Sequence, residues 1–210
     1  MNEKIIIRPL EEQFKSHKVK RIRTIQALLC SSIYDDSVGK YYIEEINKSL
    51  EAGLWLASIN LINSFLEIVI RDLLFYSLVK DLNINPSFGE DASKLQQKLE
   101  NSRDPEWSFD RIITELYNRQ VINGFDKFKL KNYYKKVRIP IHHGISQRFV
   151  RDEKFDNPPG FDFLGMLYGR VTWMELEEKL EIKGIYFLEK ATKLIIRFSE
   201  QIKKLGTTNG

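Results

Sequence analysis

The segment VRIPIHHG, from Val137 to Gly144, concentrates the side chains of this chain that are best suited to acid–base chemistry. It holds two of the three histidines, His142 and His143, and both lie within five positions of Arg138. An imidazole can take a proton from a hydroxyl group and return one to a leaving group, and a guanidinium can stabilise negative charge that develops on a phosphate. Together these residue types suit the cleavage of RNA.

A structural role explains the same residues equally simply. A histidine at the end of a helix can satisfy a last-turn carbonyl, and Gly144 is typical of a helix terminator. In a continuous helix Arg138 and His142 would be neighbours, but Pro140 removes a backbone donor and disfavours the helical conformation at Ile139. The sequence therefore predicts a kink or a helix boundary here and leaves both roles open.

Other catalytic arrangements have weaker support in the sequence. Adjacent histidines on a helix diverge by about 100°, so His142 and His143, even with Asp152 nearby, do not have the spacing of metal ligands. The chain has no glycine-rich phosphate loop of the Walker or dinucleotide type. Its single cysteine, Cys30, lies far in sequence from the histidines. We therefore predict neither a metal nor a cofactor.

A basic segment surrounds the histidines. Between residues 127 and 151 there are eight lysines and arginines and no acidic residue, with Phe128, Tyr133 and Tyr134 interleaved. Phosphates favour such a segment, and aromatic rings can stack on unpaired bases. A solvated helix face whose aromatic residues belong to the core has the same pattern. If RNA binds here, the contacting residues are expected to be Lys131, Tyr134, Lys135, Arg148 and Arg151.

A stripe of polar residues runs along the most apolar helix that the sequence predicts. Its members share one helix face, because they lie at offsets of three, four, seven and eleven from the first: Asn60, Asn63, Ser64, Glu67 and Arg71. The stripe faces either water or a polar cleft in which Glu67 orients a cation from another helix. For that cation, the sequence offers Arg138.

The elements that must position these residues are helices. Apolar residues recur at helical spacing and alternating β-branched runs are scarce, so we predict an all-α bundle of four to six helices, with a long central and a long C-terminal helix. Gly53 either breaks a helix or is tolerated inside one. The last helix is predicted to begin at a capping box formed by Thr172 and Glu175. The predicted segments are about 10–34, from 38 onward, 54–81, 91–100, 104–120, 125–137 and 172–205.

Composition limits the class of protein. A chain of 210 residues with 42% hydrophobic residues suits one compact domain, 1–205, followed by a disordered tail, 206–210. The net charge of +4 is too small for a global field that would argue for nucleic acid. One cysteine and the lack of a signal peptide indicate a cytoplasmic protein. Polar residues interrupt the most apolar segment, so we predict no membrane span.

These features together resemble the HEPN superfamily (higher eukaryotes and prokaryotes nucleotide-binding domain). The mark of that family is an arginine followed a few residues later by a histidine, often as Arg-Asn-x-x-x-His-Gly. In this chain four residues separate Arg138 from His143, and Gly144 follows. A long helix that carries a glutamate, here Glu67, also agrees with the family's layout. The position after the arginine is usually polar in the family, and in this chain it is Ile139.

The resemblance implies a metal-independent endoribonuclease of single-stranded RNA, as in toxin, antiphage and RNA-processing systems, and a homodimer that brings two motifs together. His143 would act as general acid or base while the ribose 2′-hydroxyl attacks the adjacent phosphate, and Arg138 would bind that phosphate. Either His142 replaces the polar group missing at Ile139, or catalysis has been lost. A toxin would also need an antitoxin or defence-system partner. The alternatives are a non-catalytic HEPN-like module that binds a nucleotide or partner, and a helical dimer with only an interaction role.

Overall fold

The fold of the described residues is helical throughout. The structure, a computed structural model, describes residues 10–31, 37–82, 89–100, 107–139 and 173–206. These residues contain no β-strand, which confirms the predicted all-α class, and they form one helix more than the upper end of the expected range. The seven α-helices are α1 Leu10–Cys30, α2 Ser37–Glu51, α3 Trp55–Leu82, α4 Glu90–Glu100, α5 Phe109–Asn118, α6 Gly124–Tyr133 and α7 Trp173–Gly206.

Helix α3 is the centre of the bundle, because it is apolar around most of its circumference and must be covered on several sides. Helices α2, α4, α5 and α7 all pack against it, and the packing with α7 is the most extensive. Phe65 and Ile70 of α3 and Phe198 of α7 are fully buried in the resulting core. The predicted bounds of α3, residues 54–81, lie within one residue of those observed.

Gly53 ends α2 and separates it from α3, which settles the choice that the sequence left open. Its φ of +71° lies in the left-handed region, where a residue without a Cβ is favoured. The N–H of Leu54 donates to the carbonyl of Ser49 at 2.8 Å, and the N–H of Gly53 donates to that of Leu50 at 3.2 Å. This pair of bonds is a Schellman motif, which turns the chain sharply into α3.

Helix α5 is shorter than predicted. Ser108 has an extended backbone with ψ 148°, so α5 begins at Phe109 and does not run from Asp104-Pro105 to Gln120 as predicted. The reason lies in packing, because the buried face of α5 starts at Phe109 and continues through Ile112 and Leu116. Residues 101–106, including the predicted cap, lie outside the described residues.

Helix α6 continues into a wider turn that carries Arg138. Its N-cap is Asn123, whose side-chain oxygen accepts a hydrogen bond from the N–H of Asp126 at 2.9 Å. A π-helical turn, Tyr134–Arg138, follows directly and is closed by a bond from the N–H of Ile139 to the carbonyl of Tyr134.

Ile139 has φ −60° and ψ −52°, so the prediction that Pro140 displaces it from the helical region was wrong. The effect of a following proline is a bias, and the backbone bond that Ile139 makes in the π-helical turn outweighs it. Residues 140–144 of the opening segment lie outside the described residues.

The first and last helices differ slightly from their predicted bounds. Helix α1 ends at Cys30, earlier than predicted, and Tyr34 lies outside the described residues, as does Thr172 of the predicted capping box. Helix α7 includes Gly206, which the sequence had assigned to the tail. No helix in the described ranges combines the length and apolar character needed to cross a membrane.

Candidate functional site

The structure describes part of the predicted site. Glu67 lies in the middle of α3, and Arg138 is the last residue of the π-helical turn. Lys131, Tyr134 and Lys135 of the predicted RNA contacts belong to α6 and the same turn. The remaining predicted site residues lie outside the described residues: His142, His143, Arg148 and Arg151.

Glu67 and Arg138 form an ion pair across the bundle, which is the pairing that the polar stripe suggested. The Nη2 of Arg138 donates to the Oε2 of Glu67 at 2.6 Å, and the two side chains are 19% and 16% exposed. The other oxygen of Glu67, Oε1, accepts a hydrogen bond from the Nη2 of Arg71 at 2.8 Å. One carboxylate therefore serves two guanidinium groups, and the three together keep a net positive charge.

Arg71 fixes the orientation of Glu67. It is only 8% exposed, and its Nη1 donates to the carbonyl of Leu99 and, at 3.3 Å, to that of Trp107. These bonds connect α3 to the end of α4 and to Trp107, two residues before α5 begins. Arg71 thus holds the outgoing backbone of α4 and one oxygen of Glu67 at the same time, which leaves the second oxygen for Arg138.

The carboxyl group of Glu67 is ionised at neutral pH. Burial alone would raise its pKa, but the hydrogen bond from Arg71 and the charges of Arg138 and Arg71 outweigh that effect. The pKa of Glu67 therefore lies below its ordinary value of 4.5.

Two tyrosines hold the π-helical turn against α3 and α5. The hydroxyl group of Tyr133 donates to the Oδ1 of Asn63 at 2.6 Å, and burial raises the pKa of Tyr133, so the donor proton is retained. The ring of Tyr134 lies 4.9 Å from that of Phe109, and the guanidinium of Arg138 lies 5.2 Å from the centre of the Tyr134 ring. Tyr134 already has two neighbours, and its stacking on RNA stays a prediction.

The polar stripe of α3 faces a cleft. This cleft has a volume of about 260 Å³, and Arg138 lies in its wall. Asn63 is 6% exposed, and its Nδ2 has no hydrogen-bond partner within the described ranges. All five members of the stripe line the cleft, together with Tyr42, Ile68, Glu100 and Arg138.

Sequence reasoning did not identify Tyr42 and Glu100 as part of this site. They belong to α2 and α4, and no spacing in the sequence relates them to the stripe on α3. Only the packing of the three helices brings them to one cleft.

The basic residues of α6 and the π-helical turn have several environments. The Nζ of Lys131 pairs with Asp110 at 3.0 Å, and the ammonium of Lys129 lies 4.0 Å from the centre of the Phe125 ring. Lys135 is exposed, and Phe128 is 65% exposed. The aromatic residues of the basic segment therefore fall into two groups: Tyr133 and Tyr134 pack against the bundle, and Phe128 faces solvent.

Known proteins supply no direct guide to this site. Protein-family models, curated proteins and solved structures were compared with the chain, and none of them matches it. Among the side chains that the structure describes, no group of three or more histidine, cysteine or acidic residues is placed to hold a metal ion.

A second carboxyl group near the cleft makes stability depend on pH. Burial, together with the charge of Glu100, raises the pKa of Asp72 to about 7. A carboxyl group with a raised pKa contributes stability below its ordinary pKa of 3.8, and this contribution is lost as the pH rises to about 7. At pH 8 the folded protein must therefore hold a poorly solvated charge at Asp72.

Replacing Asp72 with asparagine should remove that cost. We expect Asp72→Asn to exceed the wild type in unfolding free energy by about 1–2 kcal/mol at pH 8, and to lose this advantage near pH 4. Urea denaturation at both pH values measures the difference. Asp91→Asn, on the exposed first turn of α4, is the control and should bring no such gain. Equal stability of Asp72→Asn and the wild type at pH 8 would contradict the prediction.

Proposed function

We propose that this protein is a metal-independent endoribonuclease that cleaves single-stranded RNA by acid–base catalysis. The observation that carries the proposal is the position of Arg138, which Glu67 and Tyr134 hold at a polar cleft. His143 follows it at the spacing of the HEPN motif. An arginine held in advance of substrate binding needs little reorganisation when a phosphate arrives, which is how electrostatic catalysis works.

The proposed reaction is an internal transfer at phosphorus. A general base takes the proton of the ribose 2′-hydroxyl, the 2′-oxygen attacks the adjacent phosphorus, and the 5′-oxygen leaves with a proton from a general acid. The products are a 2′,3′-cyclic phosphate and a 5′-hydroxyl end. His143 is proposed as an acid–base group, with His142 beside it. Arg138 uses one of its five N–H donors on Glu67, so others are left for the phosphate.

We infer a homodimer in the cytoplasm, because paired HEPN motifs would place two arginines and two histidine pairs around one RNA strand. A nuclease of this kind, acting as a toxin or in antiphage defence, would need an antitoxin or defence-system partner to restrain it. The basic segment from residue 127 to 151 would guide RNA to the site through its phosphates.

The test is cleavage of mixed single-stranded RNA in excess chelator. We expect the wild type to cut the RNA and to leave 2′,3′-cyclic phosphate ends, because the reaction needs no metal ion. His143→Ala should not cut. His17→Ala is the matched control, because His17 is exposed on α1. Absence of cutting by the wild type, or equal cutting by His143→Ala, would contradict the proposal.

Ile139 supports a second candidate function, a non-catalytic module that binds a nucleotide or a partner. It places an apolar side chain directly after Arg138, at the position where the HEPN family that this chain resembles usually has a polar residue. In that case RNA or a nucleotide should bind at low salt, where phosphate contacts are strongest, and Arg138→Ala should weaken binding. No RNA would be cut.

A further inference from the structure

The cleft beside Arg138 has an electrically balanced lining. Its charged members are Arg71, Arg138, Glu67 and Glu100, whose formal charges cancel. A phosphate would favour a net positive lining, and so would the rest of an RNA backbone. A flat, uncharged group with both N–H donors and lone-pair acceptors is a better match for the interior of this cleft.

The size of the cleft limits its ligand. Pockets that hold drug-sized molecules measure about 300–1,000 Å³, and this cleft measures about 260 Å³. It therefore has room for a single ring system such as a nucleobase, and not for a whole nucleotide with its sugar and phosphate.

Polar groups that could read a base are available in the cleft. The side chain of Asn60 presents a donor and an acceptor side by side, and Ser64 presents a hydroxyl group four positions later on the same face. No hydrogen bond of either side-chain head group to another described residue is observed. The buried Nδ2 of Asn63 in the same wall also lacks a partner in the described part of the chain, and an unmet buried donor is costly.

We propose that this cleft binds one unpaired base of the RNA, next to the phosphate that Arg138 holds, and so sets the base preference of cleavage. Asn60 and Ser64 determine specificity through hydrogen bonds to the edge of the base. Tyr42 supplies an aromatic side chain to the lining, and the hydrogen bond from Tyr133 holds Asn63 in place. This inference rests on the proposed function, because only that function places a phosphate at Arg138.

The first arm of the test measures binding without catalysis. Calorimetry with the four nucleoside 3′-monophosphates should show that the wild type binds one of them about tenfold more tightly than it binds the weakest ligand of the four. Asn60→Ala should weaken binding of the preferred base about five- to tenfold, as expected for lost hydrogen bonds to a base edge. Ser64→Ala is a second variant with the same expected direction. Asn118→Ala, on the exposed end of α5, is the matched control and should bind as the wild type does.

The second arm measures cleavage of short RNAs that differ at one base only. Wild-type cleavage should favour RNAs with one particular base. Asn60→Ala should reduce that preference in cleavage rate by about five- to tenfold, the same factor as in binding. Cleavage with a preference that Asn60→Ala and Ser64→Ala leave unchanged would overturn the base site and leave the proposed function standing. Base binding that depends on Asn60, without any cleavage, would support the base site and overturn the nuclease. No binding of any monophosphate up to about 10 mM would overturn the base site.

Discussion

Replacement of Arg138 by alanine is expected to slow RNA cleavage by about a hundred- to a thousandfold. The guanidinium of Arg138 is held at the cleft by Glu67 and Tyr134 before any substrate binds. Its loss would remove the group that is proposed to stabilise negative charge on the phosphate. Single-turnover cleavage of a short RNA in excess chelator measures this effect directly.

The same variant should keep its fold, which makes the activity loss interpretable. Without Arg138, the carboxylate of Glu67 still accepts a hydrogen bond from Arg71, so no buried charge is left without a partner. The expected loss of stability is about 1 kcal/mol, measured by thermal unfolding. Arg138→Lys should recover only part of the activity, because an ammonium cannot bind carboxylate and phosphate with a planar fork.

Arg119 offers a matched control for this prediction. Like Arg138 it is a partly buried arginine in an ion pair, and it binds two carboxylates: its Nε donates to Glu115 at 2.8 Å and its Nη1 to Asp81 at 2.5 Å, and it is 24% exposed. It does not line the cleft. Arg119→Ala should therefore cleave RNA at the wild-type rate. Cleavage by Arg138→Ala at the wild-type rate would show that Arg138 has no part in the reaction. An equal loss of activity in Arg119→Ala would show that the loss is not specific to the cleft.

The sequence was sufficient for the central helix and for one half of the site. The helical periodicity and the apolar content of the segment predicted α3 to within one residue of its observed bounds. Residue spacing also predicted that the polar stripe lies on one face of this helix. That face does line a cleft. These successes share a cause, because the geometry of a single helix follows directly from residue spacing.

The position of Arg138 relative to Glu67 depended on contacts that residue spacing does not encode. The two residues are 71 positions apart in the sequence. Helix α6 is fixed to its neighbours by the hydrogen bond from Tyr133 to Asn63 and by the ion pair between Arg197 and Asp126. From the sequence, the polar stripe could face either water or a polar cleft, and the pairing of Glu67 with Arg138 belonged only to the second possibility.

The role of Arg71 illustrates the same limit from another side. Two of its acceptors are backbone carbonyls, those of Leu99 and Trp107, and any residue type can supply a carbonyl. The prediction for Ile139 was wrong because the backbone hydrogen bond of the π-helical turn outweighs the bias that the following proline imposes. Tertiary contacts decided the role of Arg71, and a local backbone hydrogen bond decided the conformation of Ile139.

Replacement of Glu67 by glutamine is expected to lower the free energy of unfolding by about 3 kcal/mol. The variant keeps the size of the side chain, but it leaves the guanidinium groups of Arg71 and Arg138 close together without a counter-charge. Arg71 is 8% exposed and bound to two backbone carbonyls, so it cannot move readily to water. For a chain of this length the loss corresponds to a fall of about 6 to 12 °C in Tm, measured by thermal unfolding.

The effect of Glu67→Gln should depend on pH in a way that identifies its cause. The pKa of Glu67 is lowered in the folded protein, so its contribution is complete above the ordinary value of 4.5 and is lost as the pH falls through the folded value. The gap in Tm between the variant and the wild type should therefore narrow as the pH falls below 4.5. Glu115→Gln is the matched control, because Glu115 also accepts from an arginine four positions away but is 41% exposed. It should lose less than about 1 kcal/mol. A loss of similar size in both variants, or a gap that does not change with pH, would show that the two arginines do not need the charge of Glu67.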